Sequence, residues 1–402
     1  MKFALVSYHL PPAPSGQSIM LHRLLRDLDP GAYCLLTSQL YDTPVGPEDS
    51  HRALPGRLYR LTPGHQVSRG HRYGLSKVRE GANVVLGIVQ RARQIAGIVR
   101  REQCRAIVGC TGGPDLLDLP AAYLASRVMR LPFYPYYFDD YFHQWAVVDH
   151  WQALRSRFLA RRLESALVKG AAGVIVPNEF MGEELRRRYG VESTVIHNPC
   201  DVLPEGSALP PAAPRSAAGS EVKIVYTGAV YDAHYDAFLN LVEALKLLGR
   251  PGLKLHIYTA HSHSELAARG IRGPVVYHDH RSPSAIQAIQ REAALLFLPL
   301  AFESPYPELI KSSAPGKLGE YLAAGRPVLA HAPSWSFVVW YLRTHECGLV
   351  VDEKDAHKLA EAVGRVLDDP SLWRGLGARA LEQARADFSV EAARAKFFAL
   401  VT

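Results

Sequence analysis

The fold is decided by the stretch at residues 314–330, which reads Ala-Pro-Gly-Lys-Leu-Gly-Glu-Tyr-Leu-Ala-Ala-Gly-Arg-Pro-Val-Leu-Ala. Pro315 suits the first turn of a helix, where its missing N–H costs nothing, and Ser312 or Ser313 is placed to cap the free amides. Gly325 ends the helix, and residues 328–330 continue as a buried strand. The stretch therefore predicts a helix that leads directly into a strand.

The start of this helix is a candidate site for a phosphate or a sugar. Free amides at a helix start attract anions, and Lys317 adds a mobile positive charge there. Glu320 lies three residues later on the same helix face, where its carboxylate can accept hydrogen bonds from hydroxyl groups. We therefore expect a phosphate or sugar ligand at this position.

The same residues resemble the donor-binding signature of GT-B glycosyltransferases, in particular glycosyltransferase family 4. That signature carries an acidic residue in a helix, followed by an Ala-Gly-x-Pro-Val turn into a strand, and residues 324–328 read Ala-Gly-Arg-Pro-Val. Family members usually have two glutamates eight positions apart; Glu320 fits the second, whereas Ser312 stands at the first. Glu303 or Glu308 is a candidate to contact the donor sugar instead.

The whole chain follows an α/β pattern. Apolar runs alternate with helix-like segments, and continuous apolar runs are typical of parallel strands covered on both faces, which predicts doubly wound sheets. The resemblance implies the GT-B layout, α/β with two Rossmann-like domains that face a central cleft. We expect an acceptor domain at 1–202, a linker rich in Pro, Ala, Ser and Gly at 203–221, a nucleotide-sugar domain at 222–386, and a helix at 387–402 that crosses back to the first domain.

Length and composition bound the function classes. The chain has 402 residues, enough for about two domains, and its 48% hydrophobic and 21% charged residues are typical of a soluble globular protein. No apolar run approaches the roughly 20 residues that span a bilayer. The five cysteines are scattered without metal-ligand spacing, which predicts reduced thiols in a cytoplasmic protein.

The charge balance narrows the partners. A formal net charge of +7 allows anionic substrates or an acidic membrane surface, so we include peripheral association with the inner face of the membrane among the expectations. The basic residues accompany no recognised DNA- or RNA-binding motif, and we expect no nucleic-acid partner. Solvated helix faces are the ordinary explanation for arginine clusters such as Arg186 to Arg188.

Gly16 lies in the loop after the first predicted strand. Ligands of open α/β sheets bind in the crevice at the carboxyl ends of the strands, and a glycine there lets backbone approach a phosphate or sugar closely. The resemblance implies that this glycine lies against the donor diphosphate. A lone glycine after a strand also fits a simple turn. The loop has no Gly-x-Gly-x-x-Gly pattern, which argues against a dinucleotide enzyme.

Residues 134–145 read Tyr-Pro-Tyr-Tyr-Phe-Asp-Asp-Tyr-Phe-His-Gln-Trp and are dense in aromatic and acidic side chains. Aromatic faces stack on sugars and carboxylates accept hydrogen bonds from hydroxyls, so this run is a candidate acceptor wall. The resemblance implies that a histidine or acid here contacts the transferred sugar, which makes Asp139, Asp140 and His143 the candidate catalytic residues. The two aspartates also fit a divalent cation or a helix cap, although no metal site is predicted.

The second predicted domain opens with a departure from the family. Family members usually place an Arg shortly after the glycine that corresponds to Gly228, and a Lys a few residues on, but this sequence has neither. His234 is the nearest candidate, and Lys311 and Lys317 are available to neutralise the donor diphosphate. The predicted donor-binding residues are Gly16, Gly228, His234, Lys311, Ser312, Gly316, Lys317 and Glu320.

Together these features predict a glycosyltransferase that moves a sugar from a nucleotide-diphosphate sugar to an acceptor hydroxyl, and the resemblance implies retention of configuration. The nucleotide sugar is a substrate, and no cofactor is expected. The acceptor is a glycan, a lipid-linked molecule or a small molecule. Alternatives are a nucleotide-sugar epimerase, a phosphorylase, or a non-catalytic sugar- or nucleotide-binding protein with a degenerate GT-B site.

Overall fold

The computed structural model describes residues 1–13, 15–39, 53–62, 76–114, 116–142, 144, 157–203 and 221–401. These residues form two compact units. The first comprises residues 1–197 together with 393–402, and the second comprises residues 198–392. The predicted linker at 203–221 falls almost entirely outside the described residues.

The first unit is built on a parallel sheet in the order β3-β2-β1-β4-β5-β6-β7. Its strands are β1 Phe3–Val6, β2 Tyr33–Thr37, β3 Arg57–Arg60, β4 Ala106–Cys110, β5 Phe133–Tyr136, β6 Ile175–Val176 and β7 Thr194–Val195. Its helices are α1 Gly16–Leu25, α2 Ser76–Arg101, α3 Asp118–Met129, α4 Arg157–Lys169 and α5 Glu179–Tyr189.

The second unit is built on a six-stranded parallel sheet in the order β10-β9-β8-β11-β12-β13. Its strands are β8 Val222–Thr227, β9 Leu253–Thr259, β10 Val275–Asp279, β11 Leu295–Pro299, β12 Val328–His331 and β13 Leu349–Val351. Its helices are α6 Tyr235–Leu248, α7 His263–Ala268, α8 Pro283–Glu292, α9 Pro307–Lys311, α10 Gly316–Ala323, α11 Phe337–Thr344, α12 Ala356–Asp368 and α13 Pro370–Gln383, and a last helix, α14, spans Val390–Val401.

Strands β1, β2, β4, β5, β6, β11 and β12 are buried at every residue, as parallel strands between helix layers are. In β1, Ala4 and Val6 belong to one core cluster, while Phe3 and Leu5 belong to the cluster on the opposite face. The prediction of two doubly wound α/β sheets is confirmed. In each sheet the order of the strands reverses direction between two neighbours. These are β1 and β4 in the first unit, and β8 and β11 in the second. Ligands of such sheets bind at the carboxyl ends of the strands at this switch point.

The elements that were not predicted include helices α7 and α9, which are short, strand β3 and helix α11. Strand β3 reads Arg-Leu-Tyr-Arg and lies at the edge of the sheet beside β2. It therefore lacks the continuous apolar run by which a buried strand is predicted from the sequence. Helix α11 is buried along most of its length and lies between β12 and β13 in the sequence. Its first six residues are all apolar, so they have no polar face to mark them as a helix.

The last helix packs on the first unit. Phe397 meets Phe3 edge to face, with ring centroids 5.6 Å apart, and the Arg394 guanidinium donates to the carbonyl oxygens of Arg23 and Leu24. The same guanidinium pairs with the Asp27 carboxylate at 2.8 Å. These contacts fix the helix through both apolar burial and hydrogen bonding.

The signature helix begins differently from the prediction. Its N-cap is Pro315, and no side chain caps it. The Ser312 hydroxyl instead donates to the carbonyl oxygen of Glu308 at 3.1 Å, because Ser312 ends the preceding short helix α9. The expectation that Ser312 or Ser313 caps the helix is therefore wrong, and α10 starts without a capping side chain.

Candidate functional site

The centre of the site is the end of strand β8. Gly228 follows this strand with φ +119, and its N–H donates to the carbonyl oxygen of Tyr258 at 2.8 Å. A Cβ atom on Gly228 would lie 3.1 Å from Cε of Lys317. Glycine is needed here for two reasons: the backbone angle disfavours other residues, and the lysine stem passes close to the backbone.

Lys317 lies in the first turn of α10 and reaches over the end of β8. Its Nζ atom is 5.0 Å from the centroid of the Tyr226 ring. Burial lowers the pKa of Lys317 to about 8, against the opposing effect of the nearby Glu320 carboxylate. The ammonium group is still mostly charged at neutral pH, and it stands at a helix start that no side chain caps. Both features favour an anion.

Glu320 lies one turn further along α10 and is partly buried. Its proximity to Lys317 follows from the helix, since positions three apart share a face. A ligand with both phosphate and hydroxyl groups would meet a cation and a carboxylate on the same surface. The structure therefore places Lys317 and Glu320 at the start of one helix, as the sequence predicted. Their role in donor binding stays a prediction.

The loops after β8 and β11 are joined by one carboxylate. Oδ2 of Asp236 accepts hydrogen bonds from the N–H groups of Phe302 and Glu303 at 2.8 and 3.0 Å. The Ala301 N–H donates to the carbonyl oxygen of Ala233 at 2.7 Å. These bonds fix the two loops that flank the switch point. The sequence analysis missed Asp236, although an aspartate in the first turn of a helix after a glycine loop was a usable signal.

The two glutamates proposed as substitutes for the missing first glutamate lie on or beside this loop. Glu303 is exposed and pairs with Lys354 at 2.9 Å, which lowers the pKa of the Glu303 carboxyl. Glu308 lies in the first turn of α9 and is exposed. Lys311, at the end of the same short helix, is also exposed. A role for any of them in donor binding stays a prediction.

His234 is buried at the start of α6 and is therefore not a surface residue. Its Nδ1 atom lies 3.5 Å from the Tyr226 hydroxyl. Burial, together with the nearby Lys317 charge, lowers the pKa of His234 to about 3. The imidazole is therefore neutral at physiological pH. His234 is therefore unable to supply the positive charge that was expected near Gly228. Of His234 and Lys317, Lys317 is the residue that carries a charge there at neutral pH.

In the first unit, Gly16 is the first residue of α1, which Ser15 caps by accepting from the Ser18 N–H. Among the described residues, no atom lies within 4 Å of the position that a Cβ atom on Gly16 would take. Packing within that part of the chain therefore gives no reason for a glycine at this position. Open space at the start of a helix after β1 is compatible with the predicted contact to a ligand.

A second glycine loop, after β4, was missed by the sequence analysis. Gly112 and Gly113 both have positive φ, and Cβ atoms on them would lie 2.8 Å from the Gln17 and Tyr8 side chains respectively. The Gln17 side-chain amide donates to the Ser7 hydroxyl and to the carbonyl oxygen of Thr111. The loops after β1 and β4 thus pack tightly at the first switch point. The Gly-Gly pair that follows the buried strand β4 after one residue, Thr111, was the available signal.

The acidic candidates of the first unit have different environments. Asp140 is buried and receives a bidentate pair of hydrogen bonds from Arg188, at 2.7 and 3.0 Å. Asp139 is exposed, and its carboxylate accepts from the Gln144 side-chain amide at 3.4 Å. His143 lies outside the described residues. Asp140 is thereby committed to an internal ion pair, whereas Asp139 is accessible.

A second buried carboxylate shares this ion pair. Glu164 accepts hydrogen bonds from the hydroxyls of Tyr137 and Tyr189, and Arg188 lies 3.9 Å from it. Burial and the neighbouring Asp140 charge raise the pKa of Glu164 to about 7. The arrangement joins helices α4 and α5 to the loop after β5, so it serves the packing of the first unit.

Metal and membrane features are limited in the part of the chain that the structure describes. In that part, no group of three or more His, Cys, Asp and Glu side chains is arranged to hold a metal ion. Among the described helices, none is long and apolar enough to span a bilayer.

Comparison with known families decides the class of the second unit. Residues 221–369 match the family model described as Glycosyl transferases group 1. Over this range the chain is similar to the group 1 glycosyltransferases. The matched range includes Gly228, Lys317 and Glu320. The glycosyltransferase function predicted from the sequence is thus confirmed. Among curated protein sequences, none is significantly similar to the chain.

Solved glycosyltransferase structures share the fold over the whole chain. A glycosyltransferase from Rickettsia africae ESF-5 is 14% identical with a TM-score of 0.66, covering 99% of this chain and 97% of that one. Anabaena HepE, solved in complex with UDP-glucose, is 14% identical with a TM-score of 0.65, covering 99% and 98%. Sucrose-phosphate synthase from Thermosynechococcus elongatus is 17% identical with a TM-score of 0.62, covering 100% and 98%. The fold is therefore GT-B, as predicted.

Proposed function

We propose that the glycosyltransferase transfers a sugar from a nucleotide-diphosphate sugar to an acceptor hydroxyl with retention of configuration. The observation that carries the proposal is the position of Lys317, held against Gly228 at the uncapped start of α10. As the sugar leaves, negative charge grows on the diphosphate, and a cation with free helix amides stabilises that charge where it develops.

The remaining site residues have complementary roles in this proposal. Glu320 accepts hydrogen bonds from the ribose hydroxyls, and the glycine after β8 leaves room for the phosphates. His234 binds as a neutral hydrogen-bonding group. Asp139, exposed after β5 in the first unit, is the candidate acid that contacts the transferred sugar. HepE was solved with UDP-glucose, so UDP-sugars are the first donors to test.

Calorimetry on the purified protein with UDP-, GDP-, dTDP- and ADP-sugars tests the donor site. Lys317→Ala and Glu320→Ala should each weaken the binding of the preferred donor about tenfold or more. Lys246→Ala is the matched control, because Lys246 is an exposed helix lysine paired with Glu243 in the same unit. Wild-type protein that binds none of these nucleotides would favour a degenerate sugar-binding protein.

Retention and the reaction type are tested by proton NMR. The donor alone, incubated with the protein, should keep the identity of its sugar, since an epimerase would convert it. With a hydroxyl acceptor, the product should carry the anomeric configuration of the donor. Inversion at the anomeric carbon would contradict the proposed retaining mechanism.

We propose that the nucleotide sugar is a substrate and that no metal or other cofactor takes part. Activity should then persist after dialysis against EDTA. Loss of activity that Mg²⁺ or Mn²⁺ restores would overturn this part of the proposal.

The acceptor and the cellular location are proposed at the level of class. The acceptor is a glycan, a lipid-linked molecule or a small molecule, used at the cytoplasmic side of the membrane. The net charge of +7 favours association with anionic lipid surfaces. Flotation with vesicles that contain phosphatidylglycerol tests this: the protein should float with them at low salt and separate from them at high salt.

A further inference from the structure

At the switch point, strand β8 extends beyond the last residue that pairs with β11. Its register with β11 extends over Ile224 and Val225, whereas its register with β9 continues to Thr227. The N–H of Gly228 donates to Tyr258 on the β9 side. Because successive N–H groups along a strand point to opposite sides, the N–H of Thr227 faces the side where β11 no longer pairs.

A side chain takes the place of the missing strand. The Thr227 N–H donates to the hydroxyl oxygen of Tyr321 at 2.9 Å, and the Thr227 hydroxyl lies 3.3 Å from the same atom. Gln290, from α8, donates to the Thr227 hydroxyl at 3.1 Å. Tyr321 and Gln290 are both buried, and burial raises the pKa of the Tyr321 phenol, so it stays protonated. A buried backbone N–H is thus satisfied by the signature helix itself.

Tyr321 connects this bond to the lysine. It lies four residues after Lys317 on α10, and side chains four apart on a helix occupy the same face. Tyr321 therefore bonds Thr227, the last residue of β8. One turn earlier on the helix, Lys317 lies against Gly228, which follows Thr227 in the chain. Helix and strand end are locked to each other at two adjacent points.

We infer that Tyr321 is a positioning residue that sets the register between α10 and the end of β8, and so fixes Lys317 for binding the donor diphosphate. This inference rests on the proposed function for its ligand. Tyr321 itself is buried beneath the strand end and is assigned no contact with the donor. Its role is to keep the Lys317 ammonium over the loop after β8, where the phosphates are proposed to bind.

The test compares Tyr321→Phe with Tyr341→Phe. Tyr341 is also buried in the second unit, and its hydroxyl donates to the Asp387 carboxylate at 2.7 Å, a residue that belongs to neither α10 nor β8. Both variants keep the ring and remove the hydrogen bonding of one phenol hydroxyl. Tyr321→Phe should weaken binding of the preferred nucleoside diphosphate roughly five- to tenfold, while Tyr341→Phe should leave it unchanged.

A second readout needs no ligand. Carbon-13 NMR of reductively dimethylated lysines follows the titration of Lys317, whose signal is identified by its absence in Lys317→Ala. In Tyr321→Phe the midpoint should rise by about one unit or more, because a helix that is free to shift exposes the lysine to water. Tyr341→Phe should titrate as wild type does.

The outcomes separate the two claims. A Tyr321→Phe protein with wild-type nucleotide affinity and wild-type Lys317 titration overturns the positioning role. A wild-type protein that binds no nucleoside diphosphate overturns the proposed function, and the Lys317 titration then decides the positioning role alone. If Tyr321→Phe does not fold, Thr227→Val, which keeps the backbone bond and removes the hydroxyl, should show the same changes at smaller size.

Discussion

Nζ of Lys317 lies 5.0 Å from the centroid of the Tyr226 ring, so the signature helix places its cation directly on the end of strand β8. The face of an aromatic ring attracts a cation, which offsets part of the cost of removing the ammonium group from water. In the proposed function, Lys317 takes the place of the basic residues that the family usually carries after this glycine, and the contact with Tyr226 supports that proposal.

Affinity for the donor should depend on pH through Lys317. The pKa of this lysine is lowered to about 8, so the group is charged below that pH and loses its charge above it. Binding of a nucleoside diphosphate should therefore weaken as the pH rises from 7 to 9. Calorimetry across this range on wild type and Lys317→Met tests the assignment. An equally steep decline in Lys317→Met would assign the pH dependence to another group.

Gly228→Ala should lose both stability and donor binding. A residue with a Cβ atom is strained at φ +119, and that atom would press on the Lys317 stem at 3.1 Å. We expect a loss of about 1–3 kcal/mol in the free energy of unfolding. The control is Gly249→Ala, which also has positive φ but meets only a backbone oxygen at 3.9 Å. It should lose stability, measured by urea denaturation, and keep its affinity for the donor.

Asp236→Ala should release the loop after β11. The two backbone N–H groups that donate to its carboxylate would lose a charged acceptor. Each lost hydrogen bond should lower the free energy of unfolding by no more than about 1.5–3 kcal/mol. Asp355→Ala is a matched control, because Asp355 caps α12 by accepting from two backbone N–H groups elsewhere in the unit. Asp236→Ala should reduce transfer activity as well as stability, whereas Asp355→Ala should reduce stability alone.

Arg188→Ala should destabilise the first unit strongly. It would leave the Asp140 carboxylate buried without its partner, and breaking a buried pair in this way costs about 3–5 kcal/mol. Arg186→Ala breaks an exposed pair with Glu183 on the same helix and should have little effect on the unfolding transition. Equal melting temperatures for the two variants would contradict a structural role for the ion pair of Asp140.

The sequence predicted the signature helix, its lysine and glutamate, and the parallel sheets, because each of these follows from local spacing. A short apolar run between turn residues favours a buried strand, although α11 shows that such a run also forms a helix. The run Gly-Arg-Pro at 325–327 ends the signature helix through its own backbone preferences. The family resemblance depended on the same local pattern at residues 314–330.

The tertiary structure decided the environments of the side chains. Burial at the start of α6 makes His234 neutral, and Arg188, 48 positions from Asp140 along the chain, holds that aspartate inside the first unit. Asp236, Tyr321 and the Gly112 loop acquire their roles from partners distant in sequence. Charge state and hydrogen bonding depend on which groups fold together, whereas strand and helix formation depend largely on adjacent residues, and this difference separates what the sequence determined from what only the folded chain decided.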